Sequence, residues 1–92
     1  MQVRLYSTLR AYAADQKAVD VAVRRTSTVS DLLEQLATNQ PRLRNKILDR
    51  DGNLQAGISV FVNGRSIRLL QGLDTPIDES DRVGLFPALA GG

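Results

Sequence analysis

The last two residues of the chain, Gly91 and Gly92, are the part of the sequence best suited to chemistry. Glycine has no Cβ, so a glycine pair is slim enough to thread a narrow slot and bring a terminal carboxylate close to a reactive centre. We expect a domain of residues 1–87 followed by a flexible tail of residues 88–92, with the Gly92 carboxylate as the reacting group. The alternative is a frayed end without a function, because chain termini are commonly disordered.

The composition argues against a self-contained enzyme. The chain has no cysteine and no histidine, which removes the commonest zinc ligands, thiol chemistry and the usual neutral-pH general base. Eight Asp and two Glu remain, and most lie beside turn residues or on polar faces, where solvation explains them. We therefore expect no catalytic residues, no metal site and no cofactor bound by this chain.

Length and charge limit the classes of partner. With 92 residues, 42% of them hydrophobic, the chain suits one small domain with one core. No apolar run approaches the ~20 residues that cross a bilayer, and no signal-like segment follows Met1. We therefore expect a cytoplasmic protein that does not associate with a membrane. The net charge is only +2, and four aromatic residues with no long basic run argue against nucleic-acid binding. The basic clusters at residues 42–46 and 65–68 fit a solvated surface or a patch that docks an acidic protein.

Hydrophobic periodicity predicts the order of the elements. Alternation of apolar and polar residues indicates strands near residues 2–6, 18–24, 58–62, 65–68 and 82–87, and Asn63-Gly64 is typical of a tight hairpin. Thr28 can cap a helix with one apolar face that ends before Pro41. Residues 9–14 are predicted to contain one helical turn, and residues 42–57 to be irregular, with Leu43, Ile47 and Leu48 anchored in the core. This order predicts an α+β fold in which a mixed sheet of four to five strands packs on one main helix, with the last strand central beside the first.

Three segments carry a resemblance to a known family: residues 60–64 (Val-Phe-Val-Asn-Gly), residues 72–83, and residues 85–92 with a Phe-Pro pair five residues before Gly-Gly. They resemble the ubiquitin-like β-grasp sulfur carriers, which include the small subunit of molybdopterin synthase, the thiamine-pathway carrier and the carrier that supplies sulfide for cysteine formation. The stretch at residues 68–73, the excursion at residues 49–52 and the Pro-Ala-x-Ala-Gly-Gly ending are most similar to the cysteine-forming carrier. Carriers of the molybdopterin type usually have Pro-Pro where this chain has Pro87-Ala88, and those of the thiamine type are typically shorter.

The resemblance implies a carrier that acts through partner enzymes. An E1-like enzyme would use ATP to adenylate the Gly92 carboxylate, and sulfur would then replace AMP to give a thiocarboxylate. A sulfur-accepting enzyme, either cysteine-synthase-like or the large subunit of molybdopterin synthase, would take the sulfur, and a metalloprotease that trims products is a further partner to consider. A ubiquitin-like modifier joined to lysines through Gly92 and a plain binding module are the alternatives, and the acceptor pathway stays open.

The residues that would meet the partners lie in the tail and on the sheet. Phe61 and Phe86 are predicted to project from the sheet face opposite the helix, because their strand neighbours point inward. Exposed aromatic residues on one face suggest protein docking. Partner contacts are predicted for Phe61, Phe86, Arg65, Arg68 and Arg82, and for the tail residues Ala88, Leu89, Ala90 and Gly91. The alternatives are that other residues cover the aromatic rings and that the arginines are ordinary solvated charges.

Overall fold

Short alternating segments build the strands of this protein, whose computed structural model describes residues 1–24 and 27–87. The strands are β1 (Gln2–Leu5), β2 (Ala18–Asp20), β3 (Ser27–Thr28), β4 (Ile58–Val62), β5 (Arg65–Ser66), β6 (Pro76–Ile77) and β7 (Val83–Pro87). The α-helices are α1 (Val29–Asn39) and α2 (Pro41–Ile47), and 3₁₀ helices cover Ser7–Ala13, Ile67–Leu69 and Gly72–Asp74.

Five of these strands form one mixed sheet in the order β2-β1-β7-β4-β5. Strand β7 lies parallel to β1 and antiparallel to β4, so the last strand occupies the centre of the sheet beside the first, as predicted. Strands β3 and β6 form a separate antiparallel pair of two residues each. That pair was not predicted, because two residues are too short to show a periodicity.

The core lies between one face of the sheet and helix α1. The inward side chains of β1, β4 and β7 join those of α1 in a single buried cluster, and the α+β prediction is confirmed. Members from the two layers include Val3, Leu5, Val60, Leu85, Leu32, Leu33 and Leu36. In the described part of the chain, no helix is long and apolar enough to cross a membrane.

Helix α1 begins where its capping residues predict. The Asp31 N–H donates to Thr28 Oγ1 at 3.2 Å, and the Thr28 N–H donates to Asp31 Oδ2 at 3.0 Å, which forms a capping box. Each bond satisfies a backbone N–H that would otherwise lack a partner at the start of the helix. The helix ends at Asn39, before Pro41, as predicted.

Replacing Thr28 with alanine is expected to lower the free energy of unfolding by ~1 kcal/mol, because the cap of α1 loses its side-chain acceptor. Urea denaturation followed by circular dichroism measures the effect. The matched control is Thr38→Ala in the same helix, where an exposed hydroxyl donates to the Glu34 carbonyl and caps nothing. Equal losses from the two substitutions would contradict a capping role for Thr28.

The prediction that residues 42–57 are irregular is wrong at its start, where Pro41–Ile47 forms α2. Proline stops a preceding helix, but it is also favoured at the first position of a new one, since its missing N–H has no helical partner there. The predicted anchors Leu43, Ile47 and Leu48 are all buried. A small excursion follows, closed by a bridge between Leu48 and Leu54.

The predicted hairpin at Asn63-Gly64 is present. Both residues have positive φ, 52° and 83°, as a two-residue type I′ turn requires. The turn joins β4 to β5, which is shorter than predicted, because a 3₁₀ helix begins at Ile67. The register pairs Val62 with Arg65 and Phe61 with Ser66.

Candidate functional site

Three aromatic side chains cluster on the sheet face opposite α1, near the end of β7. The rings of Tyr6 and Phe86 are stacked, with centroids 4.1 Å apart and planes 7° from parallel. Phe61 meets Phe86 edge to face at a centroid distance of 5.2 Å. All three are partly exposed, whereas the neighbouring Val60 and Leu85 point into the core. We call Tyr6, Phe61 and Phe86 the aromatic face.

Gly84 makes room for this cluster. It lies in β7 opposite Arg4 of β1 on one side and Phe61 of β4 on the other. A Cβ added to Gly84 would stand 3.1 Å from Cε2 of Tyr6 and 3.4 Å from Cε2 of Phe86. The missing side chain therefore lets the Tyr6 ring approach the backbone at Gly84 while it stacks on Phe86.

Gly84→Ala is expected to displace the Tyr6 ring and to cost ~1 kcal/mol of stability, because the added methyl group overpacks the contact. The ring protons of Tyr6 and Phe86 should change chemical shift in NMR spectra. In a Tyr6→Ala background the same substitution should cost much less, since the 3.1 Å contact is gone and only the looser 3.4 Å contact with Phe86 remains. An identical cost in both backgrounds would mean that the Tyr6 ring does not set the size limit at residue 84.

Sequence reasoning missed Tyr6 and Gly84. Tyr6 follows directly on Leu5, so the alternation of β1 placed its side chain on the outer face, but no local signal showed a partner eighty residues away. A glycine in a strand often marks a close approach of other groups, and that signal was available at Gly84.

An open depression of about 650 Å³ adjoins the aromatic face. Its lining includes Tyr6, Phe61 and Phe86 together with two arginines, Arg4 and Arg82, and two acidic residues, Glu79 and Asp81. Within residues 1–24 and 27–87, neither Arg4 nor Arg82 forms an ion pair.

Of the three arginines predicted to surround the aromatic rings, the structure brings only Arg82 to them. Arg65 lies opposite the inward-facing Val62, so its Cβ is on the helix side of the sheet edge. Arg68 follows in the next 3₁₀ helix, and neither Arg65 nor Arg68 lines the depression. The expectation that these two ring the aromatic patch is therefore corrected. Whether any of the five predicted docking residues contacts a partner stays a prediction.

The start of β7 is held by hydrogen bonds from the β4–β5 turn. Asn63 Nδ2 donates to Asp81 Oδ1 at 2.8 Å, and the Arg82 N–H donates to Asn63 Oδ1 at 2.8 Å. The other oxygen of Asp81 accepts the Asp78 N–H at 2.9 Å. This network fixes the strand that leads to the tail, and it occupies the Asp81 carboxylate with structural contacts.

Hydrogen bonds in this region shift the pKa of the Asp78 carboxyl group. Hydrogen bonds from the Ser80 side chain and backbone favour the ionised form and hold the pKa of Asp78 below its ordinary value of 3.8. Because the folded pKa is the lower one, these bonds contribute stability above the unfolded pKa, and the contribution is lost as pH falls through the folded pKa.

Ser80→Ala is expected to raise the pKa of Asp78 toward its ordinary value, since the largest cause of the shift is removed. An NMR titration of the Asp78 carboxyl resonance between pH 2 and pH 6 follows the change. Asp74 serves as an internal control, because the Ser80 N–H and hydroxyl both donate to Asp78. An Asp78 midpoint that does not move would contradict the assignment.

The described part of the chain ends beside the aromatic face. Pro87 pairs with Ile58 at the end of β7, directly after Phe86. The predicted tail residues Ala88, Leu89, Ala90 and Gly91, and the predicted attachment site Gly92, lie outside the described residues. Among the residues that are described, no three carboxylates come together as a metal site.

The chain thus combines a central last strand, a partly exposed aromatic face beside the end of that strand, and a Gly-Gly pair at the end of the sequence. The family model described as the ThiS family matches residues 3–92. The chain belongs to the ThiS family. The predicted membership of the ubiquitin-like β-grasp sulfur-carrier group is thereby confirmed.

Relatives within this family carry two kinds of name. A protein of Archaeoglobus fulgidus named as a candidate sulfur carrier is 43% identical over 65 residues, covering 71% of this chain and 74% of its own. Small archaeal modifier protein 3 of Haloferax volcanii is 32% identical and covers 100% of this chain and 98% of its own. The sulfur carrier protein CysO of Mycobacterium tuberculosis is 28% identical, with coverages of 98% and 96%.

The solved structures agree with the fold. The crystal structure of SAMP1 from Haloferax volcanii superposes with a TM-score of 0.86 at 30% identity, covering 99% of this chain and 97% of its own. This ThiS-family chain is thus similar over its full length both to a named sulfur carrier and to named modifiers.

Proposed function

We propose that this ThiS-family protein is a sulfur carrier that works through the carboxylate of Gly92. The observation that carries the proposal is the family match, which extends to residue 92 and thus includes the Gly-Gly pair. The placement of β7 supports it, because the strand that precedes these last residues lies in the centre of the sheet.

The proposed reaction has two steps, both in partner active sites. In the first, a Gly92 carboxylate oxygen attacks the α-phosphorus of ATP, and pyrophosphate leaves. In the second, hydrosulfide attacks the carbonyl carbon of the acyl-adenylate, the bond from carbon to the AMP oxygen breaks, and a thiocarboxylate remains. The carboxylate needs this activation because its charge repels nucleophiles and its oxygen is a poor leaving group. ATP is bound by the activating enzyme, so the carrier itself needs no cofactor and no catalytic residue.

Water must be kept from the acyl-adenylate, and the tail residues suit that requirement. An enclosing active site protects a reactive intermediate from hydrolysis, and such a site admits only a slim chain. Gly91 and Gly92 have no side chains, and Leu89 offers one apolar group that a partner groove can grip.

The aromatic face is the proposed docking surface for the E1-like activating enzyme. Its three rings are preorganised by stacking, so binding orders few new side chains. Aromatic residues are enriched among the side chains that dominate protein interfaces. Arg4 and Arg82 beside the rings favour a partner surface that carries carboxylates.

The proposed acceptor is a sulfur-using biosynthetic enzyme, either cysteine-synthase-like or the large subunit of molybdopterin synthase. The similarity to CysO supports the first of these. In that route a metalloprotease that releases the product from Gly92 would complete the cycle.

Intact-mass spectrometry tests the proposed reaction. The purified chain is incubated with the E1-like enzyme of its own organism, ATP and sulfide, and a mass gain equal to replacing one oxygen by sulfur is expected. Omitting ATP or sulfide provides the controls. A mass that stays unchanged while the enzyme activates another carrier would overturn the proposal.

Conjugation to proteins is the second candidate, favoured by the full-length similarity to small archaeal modifier protein 3. A lysine amine would then replace AMP on the activated Gly92. Trypsin cleaves after Arg82 and not within residues 83–92, so modified lysines should carry the ten-residue remnant that ends in Gly-Gly. Finding this remnant on lysines of other proteins from the organism's cells, and its absence when Gly92 is deleted, would establish the modifier function.

A further inference from the structure

Two adjacent leucines stand out on the surface beyond β5. Leu69 is 80% exposed and Leu70 is 36% exposed, and no other large hydrophobic residue in the described ranges is exposed. Single exposed leucines are common on protein surfaces, but in residues 1–24 and 27–87 the two exposed large apolar side chains are neighbours in sequence. We call Leu69 and Leu70 the leucine knob.

The leucine knob is held in place by the residues around it. Ser66 Oγ accepts the Arg68 N–H at 3.3 Å, and the Leu70 N–H donates to the Ile67 carbonyl at 3.0 Å. Ile67, only 3% exposed, anchors this 3₁₀ helix in the core. On the other side the Gln71 N–H donates to Oγ1 of Thr75, which is 5% exposed. A segment fixed at both ends presents its leucines in one arrangement, which lowers the entropy cost of binding.

The charge beside the knob is positive. Arg65 and Arg68 are both exposed, and residues 65–73 contain no acidic residue. Neither arginine forms an ion pair with any residue that the structure describes. A second copy of this chain bound through the same surface would bring four arginines together, which like-charge repulsion opposes. An acidic partner surface is complementary.

We propose that Leu69, Leu70, Arg65 and Arg68 form a docking surface for an acidic patch on a partner protein, with an apolar recess that receives Leu69. The surface is separate from the aromatic face, because Arg65 lies on the other side of the sheet from Phe61. It needs neither Gly92 nor its activation, so it goes beyond the proposed function. A partner protein bound at this surface can stay bound while the C-terminal tail enters the active site of an enzyme.

Photo-crosslinking in the organism's own cells tests this surface. Benzoylphenylalanine replaces Leu69, and the control is the same residue in place of Gln35, an exposed position on α1. A cross-link to another protein is expected at residue 69, joined to a segment flanked by Asp and Glu. Arg65→Glu with Arg68→Glu should lower its yield about fivefold or more, while Phe61→Ser should leave it unchanged.

Binding of the identified partner, once purified, gives an independent measurement. Leu69→Ser should weaken the Kd about tenfold or more, and the wild-type Kd should rise with salt. The proposal is overturned if residue 69 cross-links no more than residue 35, if the arginine substitutions change nothing, or if the cross-linked protein is a second copy of this chain. Deleting Gly92 should leave the cross-link intact, which separates this test from that of the sulfur-carrier function.

Discussion

Deleting Gly92 should abolish thiocarboxylate formation while the domain stays folded. The truncated chain ends in a different carboxylate, one residue short of the position at which the activating enzyme aligns the group with ATP. Misplacing a reacting group by a few ångströms removes most of the rate that positioning provides. Intact-mass spectrometry after incubation with the E1-like enzyme, ATP and sulfide should show no sulfur gain, a loss of about 100-fold or more.

Two companion variants make this result specific. Adding an alanine after Gly92 should be equally inactive, because the terminal carboxylate is again displaced. Gly91→Ala keeps the carboxylate in place and adds only a Cβ, so it should retain part of the activity. All three should unfold in urea within ~0.5 kcal/mol of the parent chain, since we expect the last two residues to make no buried contact. Thiocarboxylate on the truncated chain would mean that Gly92 is not the attachment site.

Replacing Phe86 with alanine is expected to raise the KM of the activating enzyme for the carrier about thirtyfold, with a smaller change in kcat. Phe86 contacts both other rings, so its removal breaks the Tyr6 stack and the edge contact from Phe61. Loss of a central aromatic anchor typically costs ~2 kcal/mol of binding, which corresponds to that factor. Pyrophosphate release at varied carrier concentration measures both constants.

Tyr12→Ala is the matched control for Phe86→Ala. Tyr12 is also a partly buried aromatic residue, but it packs beside Lys46 of α2, with the ammonium 4.8 Å from the ring centroid. It should lower stability and leave KM unchanged. If both variants raise KM equally, the effect comes from general loosening of the domain and the aromatic face is not the docking surface.

Strong local patterns account for what could be predicted of the fold. Three local signals define the helix after Thr28: Thr28 marks its start, the apolar face runs along its length, and Pro41 marks its end. Strands β1, β4 and β7 alternate over four to five residues, long enough for a period of two to show. Helix α2 was missed because Pro41 has two meanings, a stop for one helix and a start for the next.

The arrangement of the site depended on contacts between distant segments. Tyr6 and Phe86 stack across the β1–β7 pairing, and no local pattern shows which residues that pairing brings together. The position of Arg65 was predictable in principle. A two-residue turn at Asn63-Gly64 makes Val62 and Arg65 partners, so an inward valine requires an arginine on the same side of the sheet.

The parallel pairing of β1 with β7 has a mechanical consequence. When a force is applied to the chain beyond Pro87 and acts along β7, it stresses the hydrogen bonds from β7 to β1 and to β4 at the same time. Such a force shears several hydrogen bonds together, whereas a pull on an edge strand would peel them apart one by one. We therefore expect the domain to resist unfolding when force is applied from its C-terminal end.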